Sequence, residues 1–334
     1  MKEQDFRGIT GHEDIVGYLK KSLASGKTSH AILFSGQKGS GKKTLAGIYA
    51  AALECERGGS EPCCACPACR KVFHESHPDV IRLTHEKPAT IAVDEIREQI
   101  IASAAVRPFE GRYKIFIIDE ADKMTVAAQN ALLKTLEEPP EYVIILLLAL
   151  SAESLLPTIR SRCVTLKVRP LPDETVRTYL EKELGKTRGE AEIIASFARG
   201  SLGKAKAAAS DEEFPLMIRR ILSLLRSLHD QPIGELVDRL QEITEEKQDL
   251  TEYLELMTVW FRDVLCYKAT ADIDKLIFKN ETADLRRQAA MSSYPGLEEI
   301  LSSIAKAEER LRANVSPTLT VELLLLTIRE NIHG

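Results

Sequence analysis

The sequence contains no apolar run that is long enough to cross a bilayer. Its most apolar stretch, residues 142–150 (YVIILLLAL), is much shorter than the ~20 residues that a membrane-spanning helix needs, and it is typical of a buried strand. The N-terminal residues, MKEQDFRGIT, lack the apolar core of a secretory signal. Internal repeats and low-complexity tracts are also missing. We therefore expect a cytoplasmic protein that has no contact with a membrane.

The sequence also lacks an excess of positive charge. Its 45 lysines and arginines are outnumbered by 50 aspartates and glutamates, which gives a formal net charge of −5. A chain of this charge is not a polyanion binder as a whole. Any contact with nucleic acid must therefore be local, or shared with a more basic partner.

The 334 residues are enough for two or three domains. Up to about residue 168, short apolar runs alternate with amphipathic stretches. This pattern predicts an α/β domain in which helices cover both faces of a parallel sheet. The predicted strands are residues 31–35, 79–83, 114–118, 143–148 and 163–168, and the predicted helices are residues 42–54, 93–105 and 125–137.

No convincing strand pattern follows Pro170 and Pro172. Residues 173–184 and 190–198 predict two helices of a small unit, and apolar residues at helical spacing then recur to the C-terminus. Such spacing predicts core packing and no particular function. The expected domains are residues 1–168 with a cysteine module at 55–69, residues 169–210, and an all-helical domain over 211–334. Within the last of these domains, the apolar residues at helical spacing lie in residues 236–243, 250–264, 297–311 and 319–328.

Five of the seven cysteines lie within residues 55–69. An odd number of cysteines, so tightly clustered and without a signal peptide, favours a metal site over a disulfide framework. Four thiolates can enclose Zn²⁺ tetrahedrally with no open position, which makes such a site structural. Iron is a second possibility, and free buried thiols are the less favoured alternative. The predicted ligands are Cys55, Cys63, Cys66 and Cys69, with Cys64 as a spare and with His74 and His77 as surface residues.

Residues 36–44, GQKGSGKKT, match a phosphate-binding loop at every position except one. The pattern requires Ser or Thr after the lysine, and that alcohol normally ligates Mg²⁺. Lys43 stands in its place and cannot ligate a cation, so hydrolysis is in doubt. A loop that binds nucleotide weakly or not at all is the strong alternative, and a glycine turn without any ligand is a weaker one. The candidate nucleotide-binding residues are Gly36, Gly39, Gly41, Lys42, Lys43 and Thr44, although Thr44 lies ~100° further round the helix and does not replace the alcohol.

Asp119 and Glu120 follow the apolar run KIFII. In phosphate-loop enzymes an Asp at such a strand end holds Mg²⁺, and the adjacent Glu can polarise the attacking water. The spacing from the phosphate loop allows the two strands to be neighbours in the sheet. A pair of solvated loop carboxylates is the alternative interpretation.

Together these motifs resemble the clamp-loader branch of the AAA+ ATPases, over nearly the whole chain. The matching segments are ITGHEDIV, SHAILFSG, GQKGSGKK, the cysteine cluster, IIDEADKM, NALLKTLEEPP, LPTIRSRC, GSLGKA and ANVSPTLTVELLLL. The resemblance implies a phosphate-loop domain with a zinc-binding insertion, a helical lid and a C-terminal collar domain that joins subunits.

Three departures from that family concern the groups that touch the γ-phosphate or its metal. Lys43 replaces the alcohol, residues 149–150 (Ala-Leu) replace a polar sensor, and Gly203 replaces an arginine of the lid. Arg162 of the Ser-Arg-Cys triplet is retained. The resemblance therefore implies a subunit that does not hydrolyse ATP but offers Arg162 to a neighbour's ATP, with Asp119 and Glu120 vestigial.

An active ATPase subunit of the gamma/tau type is the first alternative, because Lys42, Asp119 and Glu120 are present. A zinc-dependent nucleic-acid binder is the second, and the acidic net charge counts against it. The resemblance implies partners as well: gamma/tau and delta subunits in a hetero-pentamer of the DNA polymerase III holoenzyme, with the sliding clamp and primer-template DNA contacted through the complex. It implies zinc as cofactor and leaves ATP and Mg²⁺ doubtful for this subunit.

Overall fold

The computed structural model describes residues 5–228, 231–232, 234–239 and 250–332. The chain forms two compact units. The first contains the residues up to Thr175 together with Gly200–Lys204, and the second contains Val176–Arg199 and the residues from Ala205 onward. The division into three domains with the bounds expected from the sequence stays a prediction.

The first unit is built on a five-stranded parallel sheet in the order β2-β3-β4-β1-β5. The prediction of an α/β domain with a parallel sheet is thereby confirmed. The expectation that β1 and β3 could be neighbours is wrong, because β4 pairs with both and separates them. The strands are β1 (Ala31–Ser35), β2 (Val80–Arg82), β3 (Lys114–Ile118), β4 (Val143–Ala149) and β5 (Val164–Lys167).

Helices cover both faces of this sheet. In β1, Ile32 and Phe34 pack on one face and Leu33 on the other, and all three side chains are fully buried. Because the central strands are enclosed on both sides, they are continuously apolar and do not alternate. The helices of this unit are Glu13–Ser25, Lys42–Leu53, Pro67–Phe73, Val93–Ile96 with its continuation through the π-helical Arg97–Ile101 to Ala102–Ala104, Val126–Glu137 and Pro157–Arg160.

From residue 168 on, the described part of the chain contains helices and no strand, as the sequence predicts. Residues 240–243 of the stripe expected at 236–243 lie outside the described residues. The helices are Asp173–Leu184, Arg188–Ala198, Leu202–Ser210, Phe214–Arg226, Leu250–Thr270, Thr282–Met291, Tyr294–Arg312 and Pro317–Ile332.

The helices of the second unit meet around Trp260, which is fully buried. Its indole Nε1 donates to Gln288 Oε1 at 2.8 Å, and Gln288 Nε2 donates to the Leu225 carbonyl at 2.8 Å. These bonds satisfy polar atoms that would be costly to bury alone, and they link three helices. In the described ranges, no helix combines the length and the apolar character needed to span a membrane.

Candidate nucleotide and metal sites

The phosphate loop connects β1 to the helix Lys42–Leu53, as the sequence predicts. Gly39 and Gly41 have φ values of +74° and +94°, which glycine adopts without strain. Gly36 lies against the end of β5, where a Cβ would come within 2.3 Å of the Val168 carbonyl oxygen. Each of these three glycines is therefore required by the backbone, and the loop has the shape of a phosphate cradle.

Lys42 lies at the first position of that helix and folds back over the loop. Its Nζ donates to the carbonyl oxygens of Gly36 at 2.6 Å and Gln37 at 2.8 Å. Burial lowers the pKa of Lys42, while the carboxylates of Asp119 and Asp122 act in the opposite direction. The lysine that would reach the phosphates is thus in place.

Lys43 forms an ion pair with Asp119. Its Nζ lies 2.6 Å from Asp119 Oδ2, with the lysine side chain 70% exposed and the aspartate 30% exposed. Although β4 separates β1 from β3, both strands end at the same edge of the sheet, so the lysine can reach the carboxylate. The structure therefore brings together an ammonium group and the carboxylate that would hold Mg²⁺ in an ATPase. Thr44 follows in the same helical turn, and its side chain is half-buried.

Glu120 is held by a different lysine. It has a left-handed backbone with φ of +50°, and Lys123 Nζ donates to its Oε2 at 2.7 Å. This hydrogen bond lowers the pKa of Glu120. The carboxylate that could polarise a water is thus ionised but already paired.

The segment Gly200–Lys204, which we term the strap, is pressed against the phosphate loop. Ser201 Oγ donates to the Lys38 carbonyl at 2.9 Å, and the Gly203 N–H donates to the Gly39 carbonyl at 2.8 Å. A Cβ at Gly203 would lie 2.7 Å from that carbonyl oxygen, which is closer than real Cβ atoms come. Any larger residue at 203, including the arginine that the family carries, would push the strap away from the loop.

Asp122 is a site residue that the sequence analysis missed. Its Oδ1 accepts a hydrogen bond from the Leu150 N–H at 2.9 Å, where the end of β4 replaces the family's polar sensor. Asp122 could have been suspected from the sequence, because it lies two residues after Glu120 in the run DEAD. Its contact with Leu150, however, depends on the pairing of β3 with β4.

Arg162 lies after the short helix Pro157–Arg160. Its guanidinium is 2.7 Å from Glu137 Oε1 and also donates to the Thr158 carbonyl at 2.9 Å. The side chain is 35% exposed, and its partners do not include any residue of the phosphate loop. The structure therefore keeps Arg162 apart from the nucleotide site of its own chain.

The four predicted metal ligands come together. The Sγ atoms of Cys55, Cys63, Cys66 and Cys69 all lie within 4.8 Å of one another, and none of the seven cysteines, all within the described ranges, forms a disulfide. A tetrahedral four-thiolate zinc site has sulfur atoms about 3.8 Å apart, so the cluster fits such an ion. The four-cysteine cluster can hold a metal ion.

The environment of the thiols also fits a cation. The backbone N–H groups of Ala65 and Cys66 lower the pKa of Cys63 to about 6, whereas burial raises the pKa of Cys69. A divalent ion would allow all four sulfurs to be ionised at once. Cys64 stays outside the cluster, as predicted.

His77 does not lie at the surface, contrary to the sequence prediction. It is 4% exposed, and its Nδ1 accepts from the Asp79 N–H at 3.2 Å. Asp79 is equally buried because its carboxylate accepts three backbone N–H groups, from Phe109, Glu110 and Gly111, at 2.7–2.8 Å. The side chains of His77 and Asp79 are therefore buried, whereas Glu75, Ser76 and Pro78 beside them are exposed. His74 is exposed, and neither histidine joins the cysteine cluster.

Comparison with known proteins gives matches over most of the chain. The family model described as "DNA polymerase III, delta subunit" matches residues 11–172, and the one described as "DNA polymerase III, delta subunit, C terminal" matches residues 220–330. A crystal structure of a DNA polymerase III gamma subunit-related protein from Thermotoga maritima is 23% identical, with a TM-score of 0.46 over 96% of this chain and 100% of that chain.

Two curated relatives come from Bacillus subtilis strain 168. DNA polymerase III subunit tau is 30% identical over 99% of this chain, which spans 62% of the length of tau. DNA polymerase III subunit delta' is 28% identical over 95% of both chains. The two family models together cover both the sheet unit and the C-terminal helices, so the chain belongs to the family of DNA polymerase III clamp-loader subunits.

Proposed function

We propose that this chain is a delta-prime-type clamp-loader subunit, which does not hydrolyse ATP but scaffolds the loader and donates Arg162 to the ATP of a neighbouring subunit. The identities to tau and delta' are too similar to distinguish the two types. The observation that carries the proposal is the ion pair of Lys43 Nζ with Asp119 Oδ2 at 2.6 Å.

That ion pair bears on hydrolysis through the metal. Phosphoryl transfer in this class of protein needs Mg²⁺ to bridge the β- and γ-phosphates and to neutralise the developing charge. Lys43 removes one oxygen ligand of the metal, places a positive charge beside its position and engages Asp119. Mg²⁺ therefore loses a ligand and gains a repulsive neighbour. Gly203 and the end of β4 remove two further groups that would sense the γ-phosphate.

The location of Arg162 supports its proposed role at the ATP of a neighbouring subunit. An arginine finger stabilises the charge on the transferred phosphoryl group, and it can be worth about 10³–10⁵ in turnover. Arg162 lies between the short helix Pro157–Arg160 and β5, and these two elements fix its backbone. The guanidinium is partly exposed; to meet a phosphate on another chain it would have to leave both Glu137 and the Thr158 carbonyl.

The cysteine cluster supports a zinc ion as the structural cofactor. Four thiolates prefer Zn²⁺ or iron among common metals, and a closed four-sulfur set without an open position is typical of structural zinc. Cys66 also begins the helix Pro67–Phe73, where its Sγ accepts from the Cys69 N–H. The ion would thus hold the module together and would take no part in phosphate chemistry.

The partners proposed for this subunit are those of its family. They are gamma/tau and delta subunits in a hetero-pentamer, with the sliding clamp and primer-template DNA engaged through the assembly. A subunit with this role works at the replication fork, so we place it in the cytoplasm and away from membranes.

The test uses the loader reconstituted with its gamma/tau and delta partners. We expect Arg162→Ala to lower clamp- and DNA-stimulated ATP turnover by at least about tenfold. Lys42→Ala should change turnover hardly at all, because this chain's own site does not hydrolyse. Arg188→Ala, which removes another exposed arginine, is the matched control. Unchanged turnover with Arg162→Ala would refute the arginine role.

An active ATPase of the gamma/tau type is the second candidate, because Lys42, Asp119 and Glu120 all surround the loop. The purified chain alone distinguishes the two functions. DNA-stimulated hydrolysis by this chain, abolished by Lys42→Ala, would establish the motor and exclude the non-hydrolysing role.

A further inference from the structure

We propose that Glu137 is a latch on Arg162, which holds the guanidinium on its own chain until a phosphate on a neighbouring subunit draws it away. This inference rests on the proposed function and deepens it, because it names the contact that regulates when the arginine is delivered. Glu137 is a positioning residue in this role, since it acts through Arg162 and does not touch the nucleotide.

The guanidinium has three partners within its own chain. Its Nη1 donates to the Thr158 carbonyl at 2.9 Å and to Ser161 Oγ at 3.3 Å, and its Nη2 lies 2.7 Å from Glu137 Oε1. Thr158 and Ser161 are neutral and lie in the same short stretch of chain as Arg162. Glu137 carries a full charge and belongs to a different helix, Val126–Glu137. The strength of the hold on Arg162 therefore depends mainly on the charge of Glu137.

The position of Glu137 on its helix favours the closed latch. Glu137 is the last residue of that helix, where carbonyl groups without an intrahelical partner give the end a partial negative charge. Such an end disfavours a carboxylate and favours a cation. The guanidinium of Arg162 offsets both negative groups at once, so the pair is more stable closed than open.

The exposure of both side chains allows the latch to open. Glu137 is 47% exposed and Arg162 is 35% exposed. Water can therefore hydrate the carboxylate once the arginine has left, and opening does not strand a buried charge. An ion pair at this exposure shifts an equilibrium by about fivefold at most. The latch thus delays the delivery of Arg162 without preventing it.

A phosphate and the Glu137 carboxylate compete for the same guanidinium. Arginine binds both kinds of anion through the same N–H groups, and a triphosphate carries the greater negative charge. When no phosphate of a neighbouring subunit is within reach, the carboxylate has no competitor and Arg162 stays withdrawn. The latch lowers the fraction of loaders whose arginine is ready, and it lowers turnover in the same proportion.

The experiment measures ATP turnover by the loader reconstituted with its gamma/tau and delta partners, first without and then with clamp and DNA. Glu137→Gln keeps the size of the side chain and removes its charge. We expect it to raise the unstimulated turnover by about two- to fivefold. Stimulated turnover should rise less, because a closed assembly already favours the delivered arginine.

Two further variants separate the latch from other effects of the substitution. Glu138→Gln removes the charge of the next residue, which is also exposed, and it should leave both rates unchanged. The double variant Glu137→Gln, Arg162→Ala should turn over ATP at the rate of Arg162→Ala alone, because the latch acts only through the arginine. Since the ion pair is exposed, Glu137→Gln should lower the unfolding temperature by no more than a few degrees.

Unchanged or lower unstimulated turnover in Glu137→Gln would overturn the latch. An equal rise in Glu138→Gln would overturn it too, and so would a rise that persists when Arg162 is replaced by alanine. In each of these cases the proposed function would still stand, provided that Arg162→Ala by itself lowers turnover. If Arg162→Ala has no effect, the proposed function fails and the latch fails with it.

Discussion

At the scale of single residues, Lys43 changes the chemistry of the phosphate loop without changing its shape. Its side chain is mostly exposed, and the backbone of the loop is set by glycines and by the strap. An exposed ion pair such as Lys43 with Asp119 is worth at most about 1 kcal/mol of folding free energy. Its effect is therefore on the charge that a ligand meets, and not on stability.

Two buried carboxylates fix the turn that precedes β3. Glu54 accepts the backbone N–H groups of Arg112 and Tyr113 at 2.9 Å, and Asp79 accepts three more from residues 109–111. The turn holds Phe109 with its side chain 86% exposed. Glu54 also lines a cavity of about 390 Å³ beside the cysteine module. The turn is thus rigid although its tip is exposed.

Glu54 predicts a pH dependence of stability. Burial raises the pKa of Glu54 to about 7 from its ordinary 4.5, although the two N–H bonds oppose this change. The folded state therefore favours the protonated form. Its contribution is fully present below pH 4.5 and is lost as pH rises through 7, so stability should fall by about 1–3 kcal/mol between pH 5 and 8.

The measurement is calorimetric unfolding of the full chain across that range. Glu54→Gln keeps the shape and one of the two acceptor oxygens, so it should lower stability, but it does not titrate, and the unfolding temperature of the sheet unit should depend less on pH. Glu141→Gln, an exposed glutamate, is the control. An equally steep dependence in Glu54→Gln would show that another group is responsible.

At the scale of elements, the cysteine module is too small to stabilise itself by apolar burial. Its helix, Pro67–Phe73, has seven residues, and helices of that length are marginal alone. The four cysteines surround one another and are packed with few other apolar residues, among them Ala68 and Phe73. Val72 of this helix packs into the core of the sheet unit, and a metal ion bound by the four thiols would add cohesion within the module itself.

Removal of the metal should consequently loosen this module. We expect one zinc per chain by mass spectrometry of the purified protein, and a fall of about 5 °C or more in the unfolding temperature after chelation. Cys66→Ser should lose the metal. Cys64→Ser, at the spare cysteine, should keep it. Equal loss in both variants, or no change in unfolding temperature on chelation, would contradict the assignment.

The strap shows how packing against the phosphate loop determines which residue is tolerated at position 203. Gly200 adopts φ of +79° and Gly203 lies against the Gly39 carbonyl, so both positions exclude a side chain. Ser201 joins the two elements, since its Oγ donates to the Lys38 carbonyl and accepts from the Lys204 N–H. Glycine in place of the family's arginine at position 203 thus allows a direct contact between the strap and the phosphate loop.

At the scale of the whole molecule, the last helix carries an exposed apolar stripe. Leu319, Leu323 and Leu326 are 50%, 41% and 36% exposed and recur at helical spacing, while Leu324 and Ile328 of the same helix are buried. Single exposed leucines are common, but an aligned set is typical of a surface that another chain covers. We predict that this surface contacts another subunit in the proposed assembly.

Assembly should therefore depend on that stripe. The double variant Leu319→Asp, Leu323→Asp is expected to fold but to bind gamma/tau and delta at least about tenfold more weakly, because it places charge in an apolar contact. The measurement is sedimentation of the mixed subunits. Leu184→Asp, at a leucine that is 39% exposed elsewhere, is the control. Normal assembly by the double variant would assign the contact to another surface.

Most strands and many helices were predictable because the forces behind them are local. The strands 31–35 and 114–118 agree with the structure in full, since runs enclosed on both faces must be apolar throughout. The helix at 13–25 was not predicted, although Ile15, Leu19 and Leu23 recur at helical spacing and Gly26 ends it in the left-handed conformation; only its N-cap, His12, lacks a side-chain bond. Glu137, Asp79 and Ser201 were missed because nothing near them in the chain reveals their partners.

The sequence by itself determined the chemistry that is available: a phosphate loop with lysine in place of an alcohol, four thiols at metal-binding spacing, and the arginine of a Ser-Arg-Cys triplet. Only the tertiary structure decided the pairings. It inserts β4 between β1 and β3 yet leaves Lys43 on Asp119, places the strap on the loop, and holds Arg162 on Glu137. Residue types and spacings are properties of the chain, whereas charges distant in sequence meet only where the sheet order and the packing of helices bring them together.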